Sequence, residues 1–216
     1  MLKNPQIIDR DSLFKIRTGD ALFVKSADGI MSKIIRFFSG SSFVHSAVAV
    51  RIESGLYIVE SKYSSSYAYQ LTPIDWWLAR HGHEQLYVGK MPDEHCTKNT
   101  RKDIRNIVMD ERESLRPYEI FWVMAVYVLQ VWLGKCRPQF KKLFKGRRPM
   151  ICSTLVQEAW ERAGVIPFGE YMTPAMLANR LGGEHALIPL DAHSGSGHNK
   201  YGRASNEGRY QYPKMA

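Results

Sequence analysis

Cys152 has the most informative surroundings of any nucleophilic side chain in the sequence. Pro149, Met150 and Ile151 precede it, and Leu155, Val156, Ala159, Trp160 and Ala163 follow at helical spacing before Gly164. That pattern predicts a helix over 152–163 with the thiol at its N-terminus. Unpaired amides and the helix dipole there favour a thiolate, the reactive form of cysteine. A small cysteine serving only to pack the core would leave the same trace.

A thiolate hydrolase also needs a base, and His45 is the best-placed histidine because it begins an apolar strand. The other histidines fall in polar loops or near the C-terminus. Ser46–Ile52 and Leu56–Glu60 read as a hairpin around Glu53, Ser54 and Gly55. If His45 lies opposite Glu60, then Ala47 faces Ile58, Ala49 faces Leu56, and Arg51 to Ser54 form a four-residue loop. One face then carries His45, Ala47, Ala49, Leu56, Ile58 and Glu60. Glu60 becomes the acceptor that orients the imidazole, the third member a histidine base needs.

Other elements must hold this hairpin and helix. Gly19 and Asp20 introduce a buried strand at Ala21–Val24, and Ile30, Ile34, Ile35 and Phe38 have helical spacing within 29–38, ended by Gly40 to Ser42. Thr72 and Pro73 read as the N-cap and first turn of a helix reaching Arg80. A strand is expected at Gln85–Gly89, a polar amphipathic helix at Thr100–Glu113, a helix capped by Thr173 and Pro174 and ending near Leu181, and a last strand at Leu187–Leu190. Strands and helices so mixed, with a central hairpin, argue an α+β fold.

Composition fits one globular unit: 216 residues, 44% apolar, enough for a single core. The reading assigns 1–190 to that domain and 191–216, rich in Gly, Ser, Asn and His, to a flexible polar tail. Three cysteines, Cys96, Cys136 and Cys152, suggest neither a disulfide framework nor a zinc motif, and the polar stretch from Met1 to Asp11 is not of signal-peptide type. A cytoplasmic location is expected, with a peripheral membrane contact as an addition.

That addition rests on 120–148. Ile120 to Leu133 is nearly all apolar but shorter than the roughly 20 residues of a spanning helix, so it reads first as a buried core helix. Lys135, Arg137, Lys141, Lys142, Lys145, Arg147 and Arg148 then alternate with Phe140, Leu143 and Phe144, as in segments that lie at a membrane surface. The formal charge of +9 suits an anionic partner. Nucleic acid is a poor candidate because the basic residues concentrate in this one linker and no recognised motif accompanies them. His81, His83, His95 and Cys96 make only a weak zinc set, and no metal or cofactor is expected.

The order His45, Glu60, Cys152, with GDALFV upstream, VHSAVAV around the histidine, LYIVES around the acid and ICSTLVQEAW around the thiol, resembles the permuted NlpC-like cysteine hydrolases. This papain-like group also contains lecithin:retinol acyltransferase. The likeness spans about residues 18–181. Arg116, Pro117 and Tyr118 look like the family's tyrosine turn, and Thr173, Pro174 and Leu177 like its following helix. The resemblance implies a permuted papain-like fold, an antiparallel sheet or small barrel packed against helices, here with an inserted segment at 119–150. It implies catalysis through a Cys152 thioester, with Tyr118 supporting the oxyanion or substrate beside the Cys152 amide. Amide or peptide bonds, including cell-wall peptides, are the expected substrates; lipid acyl transfer at a membrane, or a non-catalytic membrane-associated or particle protein, are the alternatives. Two features depart from the family: Ser46 stands where an apolar residue usually follows the histidine, and 119–150 is longer than usual.

Overall fold

The computed structural model describes residues 13, 15–25, 32, 33, 36, 41–61, 69–81, 84–113, 152–167, 169 and 172–190. Tyr118, the 119–150 segment, most of the helix expected at 29–38 and the 191–216 stretch lie outside the described residues. Six strands, β1 (Ala21–Lys25), β2 (Phe43–Ile52), β3 (Gly55–Ser61), β4 (Tyr69–Pro73), β5 (Gln85–Gly89) and β6 (Ile188–Leu190), form one antiparallel sheet. Its order is β4-β3-β2-β1-β5-β6. The helices described are α1 (Ile74–Arg80), α2 (Lys98–Glu113), α3 (Cys152–Arg162) and α4 (Pro174–Arg180). The chain is thus α+β.

Both faces of the central strands are covered, which explains why β1 reads as an unbroken apolar run. On one face Phe23, Val48, Val50 and Val59 join a core with Leu155, Val156, Ala159 and Trp160 of α3, Ile104 and Val108 of α2, and Leu177 of α4. On the other, Leu22, Val24, Ala47, Ala49 and Ile58 pack with Ile74 and Trp77 of α1. Each of the larger apolar side chains among them contributes roughly 1.5–3 kcal/mol when fully removed from water.

Helix α3 is the centrepiece, buried at every position from Cys152 to Gln157. Its polar groups are satisfied internally: Gln157 Nε2 donates to Glu161 Oε1 at 2.9 Å, the Gly169 amide to the same oxygen at 3.0 Å, and the Met172 amide to Gln157 Oε1 at 2.9 Å. These bonds fasten the following loop to the helix. Trp160 Nε1 donates to the Gly19 carbonyl at 2.8 Å, tying α3 to the turn before β1. Gly19 has φ +95°, and a Cβ there would lie 2.8 Å from Ile104 Cδ1, so the turn requires glycine.

Three expectations about elements are corrected. The β2–β3 register pairs Ala47 with Glu60, Ala49 with Ile58, Arg51 with Leu56 and Ile52 with Gly55. The connection is therefore a two-residue turn, Glu53 and Ser54, and His45 lies diagonal to Glu60. The slip from the expected register is two residues, an even number, so the two side chains keep the same face. Gly55, at φ +140°, accepts the tight exit that a bulkier residue would resist.

Thr72 does not cap α1. It lies in edge strand β4, paired with Ile58, and Pro73 is both the last strand residue and the N-cap. A proline suits that place because an edge residue can forgo its ladder N–H. Helix α2 starts before the expected Thr100, since Thr97 Oγ1 accepts the Thr100 amide at 3.1 Å and caps it. Thr173 does cap α4, accepting the Met176 amide at 3.2 Å. Among the described residues no helix is long and apolar enough to cross a membrane.

Candidate active site

The register of β2 breaks at its start: Val24 pairs with His45 but Lys25 pairs with Phe43, leaving Val44 as an extra residue. Such a bulge re-aims neighbouring side chains. Phe43 joins the α3 core, whereas Val44 joins the α1 core together with Ala47. His45 sits just past the bulge, at the end of the strand where the first turn of α3 arrives from the opposite layer.

Three side chains converge there. His45 Nε2 lies 3.0 Å from Glu60 Oε2, which leaves the other ring nitrogen, Nδ1, for the Cys152 thiol that hydrogen-bonds the same imidazole. Backbone amides of Ser46 and Ser153 also donate towards the Cys152 sulfur. Cys152 is only 4% exposed, but His45 keeps about a fifth of its side chain open to solvent.

The electrostatics follow from this packing. Burial opposes a charge on Cys152, yet the facing imidazole and the two amides outweigh it and hold the thiol below its ordinary value. Burial likewise opposes the His45 cation, but the Cys152 sulfur and the Glu60 carboxylate push its pKa up to about 10. The arrangement therefore favours a thiolate–imidazolium pair near neutral pH. Burial would raise Glu60; His45, His81 and the Trp77 indole hold it well below the usual carboxylate range instead.

Helix α1 supplies that support, and sequence reasoning missed it. Trp77 Nε1 donates to Glu60 Oε2 at 3.0 Å, and Arg80 Nη1 donates to Glu60 Oε1 at 2.7 Å. His81 lies against the Trp77 ring, with centroids 4.6 Å apart, and stacks on His45 at 6.3 Å. Its Nδ1 bonds Glu84, and its Nε2 is 3.8 Å from Glu60 Oε2, too far for a hydrogen bond. Burial opposes the His81 cation, while the Glu60 and Glu84 carboxylates raise its pKa. The signal was present as the spacing of Trp77, Arg80 and His81, one face of a helix that follows directly on the strand beside Glu60.

The remaining candidates fall elsewhere. Tyr118 and His83 lie outside the described residues. Of the weak zinc set, His81 is engaged as above, and Cys96 Sγ accepts from Arg101 at 3.2 Å and Arg17 at 3.5 Å. Among the described residues no three His, Cys, Asp or Glu side chains are grouped to hold a metal.

Neither a family model nor a curated protein matches the chain. Among solved structures it is similar to the metalloprotein yiiX of Escherichia coli O157:H7, DUF1105, with a TM-score of 0.50 and 16% identity over 72% of this chain and 71% of that one. At that identity the likeness is one of fold.

Proposed function

We propose that the protein is a cysteine hydrolase of the permuted papain-like type, with Cys152 as nucleophile, His45 as general acid and base, and Glu60 as the residue that positions His45. The observation that carries this reading is the convergence of thiol, imidazole and carboxylate at one strand end, in an order that favours the thiolate. The Cys152 thiolate attacks a carbonyl carbon, the C–S bond forms, and the carbonyl electron pair moves to oxygen. Collapse of that intermediate breaks the bond to the leaving group and leaves a thioester. The His45 imidazolium supplies the proton that a departing amine requires. Neutral His45 then takes a proton from water as the water attacks the thioester, and the acid product leaves with the thiolate restored.

The need of an amine leaving group for that proton favours amide or peptide bonds as substrates, including those of cell-wall peptides. Iodoacetamide labelling read by mass spectrometry tests the nucleophile. Cys152 is expected to alkylate faster than Cys96 and Cys136, with an acid limb well below pH 8.5 that disappears in Cys152→Ala. Slow labelling of Cys152 at the rate of the other thiols would refute the assignment.

A further inference from the structure

Two buried hydroxyls on the face of the sheet that α3 covers have no use in the mechanism above. Ser46 Oγ and Ser61 Oγ are buried without a hydrogen-bond partner, on residues that are 0% and 1% exposed. Buried hydroxyls in proteins are normally bonded, so each unpaired one calls for an explanation. Their placement is common to both. Ser46 pairs with Phe23 in the ladder and Ser61 with Tyr69, and Phe23 and Tyr69 belong to the core that α3 covers. The recorded β2–β3 register starts at Ala47 with Glu60, and continuing it by one step puts Ser61 across from Ser46, where cross-strand Cβ atoms are typically about 5 Å apart. The Ser46 amide donates towards the Cys152 sulfur, and its pairing with Phe23 puts the Ser46 side chain on the face of the sheet that α3 covers.

We infer that the Ser46 hydroxyl, with Ser61 beside it, is a hydrogen-bond donor for the carbonyl oxygen of the bound acyl group, and that it stabilises the oxyanion formed when Cys152 attacks. This rests on the acyl-transfer reading of Cys152. The hydroxyls are unpaired in the free protein because their partner is the substrate oxygen. Preformed donors of this kind act on charge that develops only in the transition state, so their effect falls on turnover. An apolar residue at position 46 could not make that contact.

Two reactions of the same thiol separate this donor role from a general role in the site. Acylation by p-nitrophenyl acetate forms an S–C bond, places the carbonyl electron pair on oxygen, and then expels p-nitrophenolate. Alkylation by iodoacetamide displaces iodide and forms no oxyanion. Ser46→Ala, which keeps the amide, is expected to slow acylation about tenfold or more while alkylation changes less than twofold. Its melting temperature should hold or rise, because an unpaired buried hydroxyl has been removed. Ser61→Ala, the second variant, should slow acylation by a smaller factor with the same alkylation rate. Undiminished acylation in Ser46→Ala, or an equal fall in both reactions, overturns the donor role. Wild-type protein that alkylates at Cys152 but is not acylated overturns it together with the acyl-transfer reading, and absence of both reactions refutes the nucleophile itself.

Discussion

Replacing Glu60 by glutamine is the sharpest single probe of the site, because the change removes one charge and almost no volume. The carboxylate is 3% exposed and takes donors from His45 at 3.0 Å, Trp77 at 3.0 Å and Arg80 at 2.7 Å. Glutamine has one acceptor oxygen; placed at the Oε2 position it keeps His45 and Trp77, and its NH2 group then faces Arg80 Nη1, which loses its acceptor. Losing that charge-assisted bond costs about 2 kcal/mol once the partial exposure of Arg80 is allowed for. For a chain of this size that corresponds to a fall in Tm of about 4–8 °C. Glu60 has a lowered pKa, so its contribution is present above the ordinary carboxylate value and fades as pH falls through the folded one. The difference between wild type and Glu60→Gln should therefore narrow below about pH 4. The thiol reports the same change independently. Without the carboxylate the His45 pKa falls from about 10, so the imidazolium loses its proton earlier and the alkaline inflection of iodoacetamide labelling moves down by about one pH unit or more. Calorimetry and labelling rates across pH 4–10 measure both. A variant that melts within 2 °C of wild type with an unshifted labelling profile would refute the reasoning.

Two stability predictions test the scaffold. Gly19→Ala is expected to cost about 2–4 kcal/mol in urea unfolding, since φ is +95° and the new Cβ would press on Ile104 Cδ1 at 2.8 Å and Met91 Sδ at 3.2 Å; a change below 0.5 kcal/mol would show that the turn relaxes freely. Asp20→Asn is expected to cost about 2 kcal/mol, because the 1% exposed carboxylate accepts the Arg17 amide at 2.9 Å, the Met91 amide at 3.1 Å and Lys90 Nζ at 2.7 Å, and unchanged unfolding at pH 7 would remove this cluster from the account of the fold.

Much of the framework could be read from residue patterns because local chemistry decides it. The apolar run at Ala21–Val24, the Thr173 cap and the Gly164 stop each have a cause within a few residues, and each lies where the pattern put it. That His45 and Glu60 would meet was legible for a similar reason: parity along a strand survives an even slip. His45 and Glu60 share a face whether the loop has four residues or two, although Gly55 was the signal for the shorter turn. The support of Glu60 was harder to foresee. Trp77, Arg80 and His81 reach it only because β4 lies beside β3 and runs into α1 directly, Pro73 ending the one and capping the other, and Thr72 with Pro73 mimics a helix start so closely that the strand before it is hidden. Strand β4 depends on a partner distant in sequence, which no local pattern records.

The bulge at Val44 explains why the site forms between two layers that otherwise share only the sheet. Glu60 and its partners on α1 belong to one face, while Cys152 comes from α3 on the other, and an ordinary strand would keep a central side chain to a single layer. An extra residue at the strand end ends the regular ladder just where the first turn of α3 arrives. His45, immediately after it, can face Glu60 with one ring nitrogen and Cys152 with the other. The two layers thus supply opposite ends of one row of contacts: the carboxylate and its cationic and indole partners on one side, the thiol and its amide donors on the other. Stability of each layer comes from its own apolar core, so the polar groups at the seam are free to be placed for chemistry, and the unpaired hydroxyls of Ser46 and Ser61 lie on the thiol's side of it.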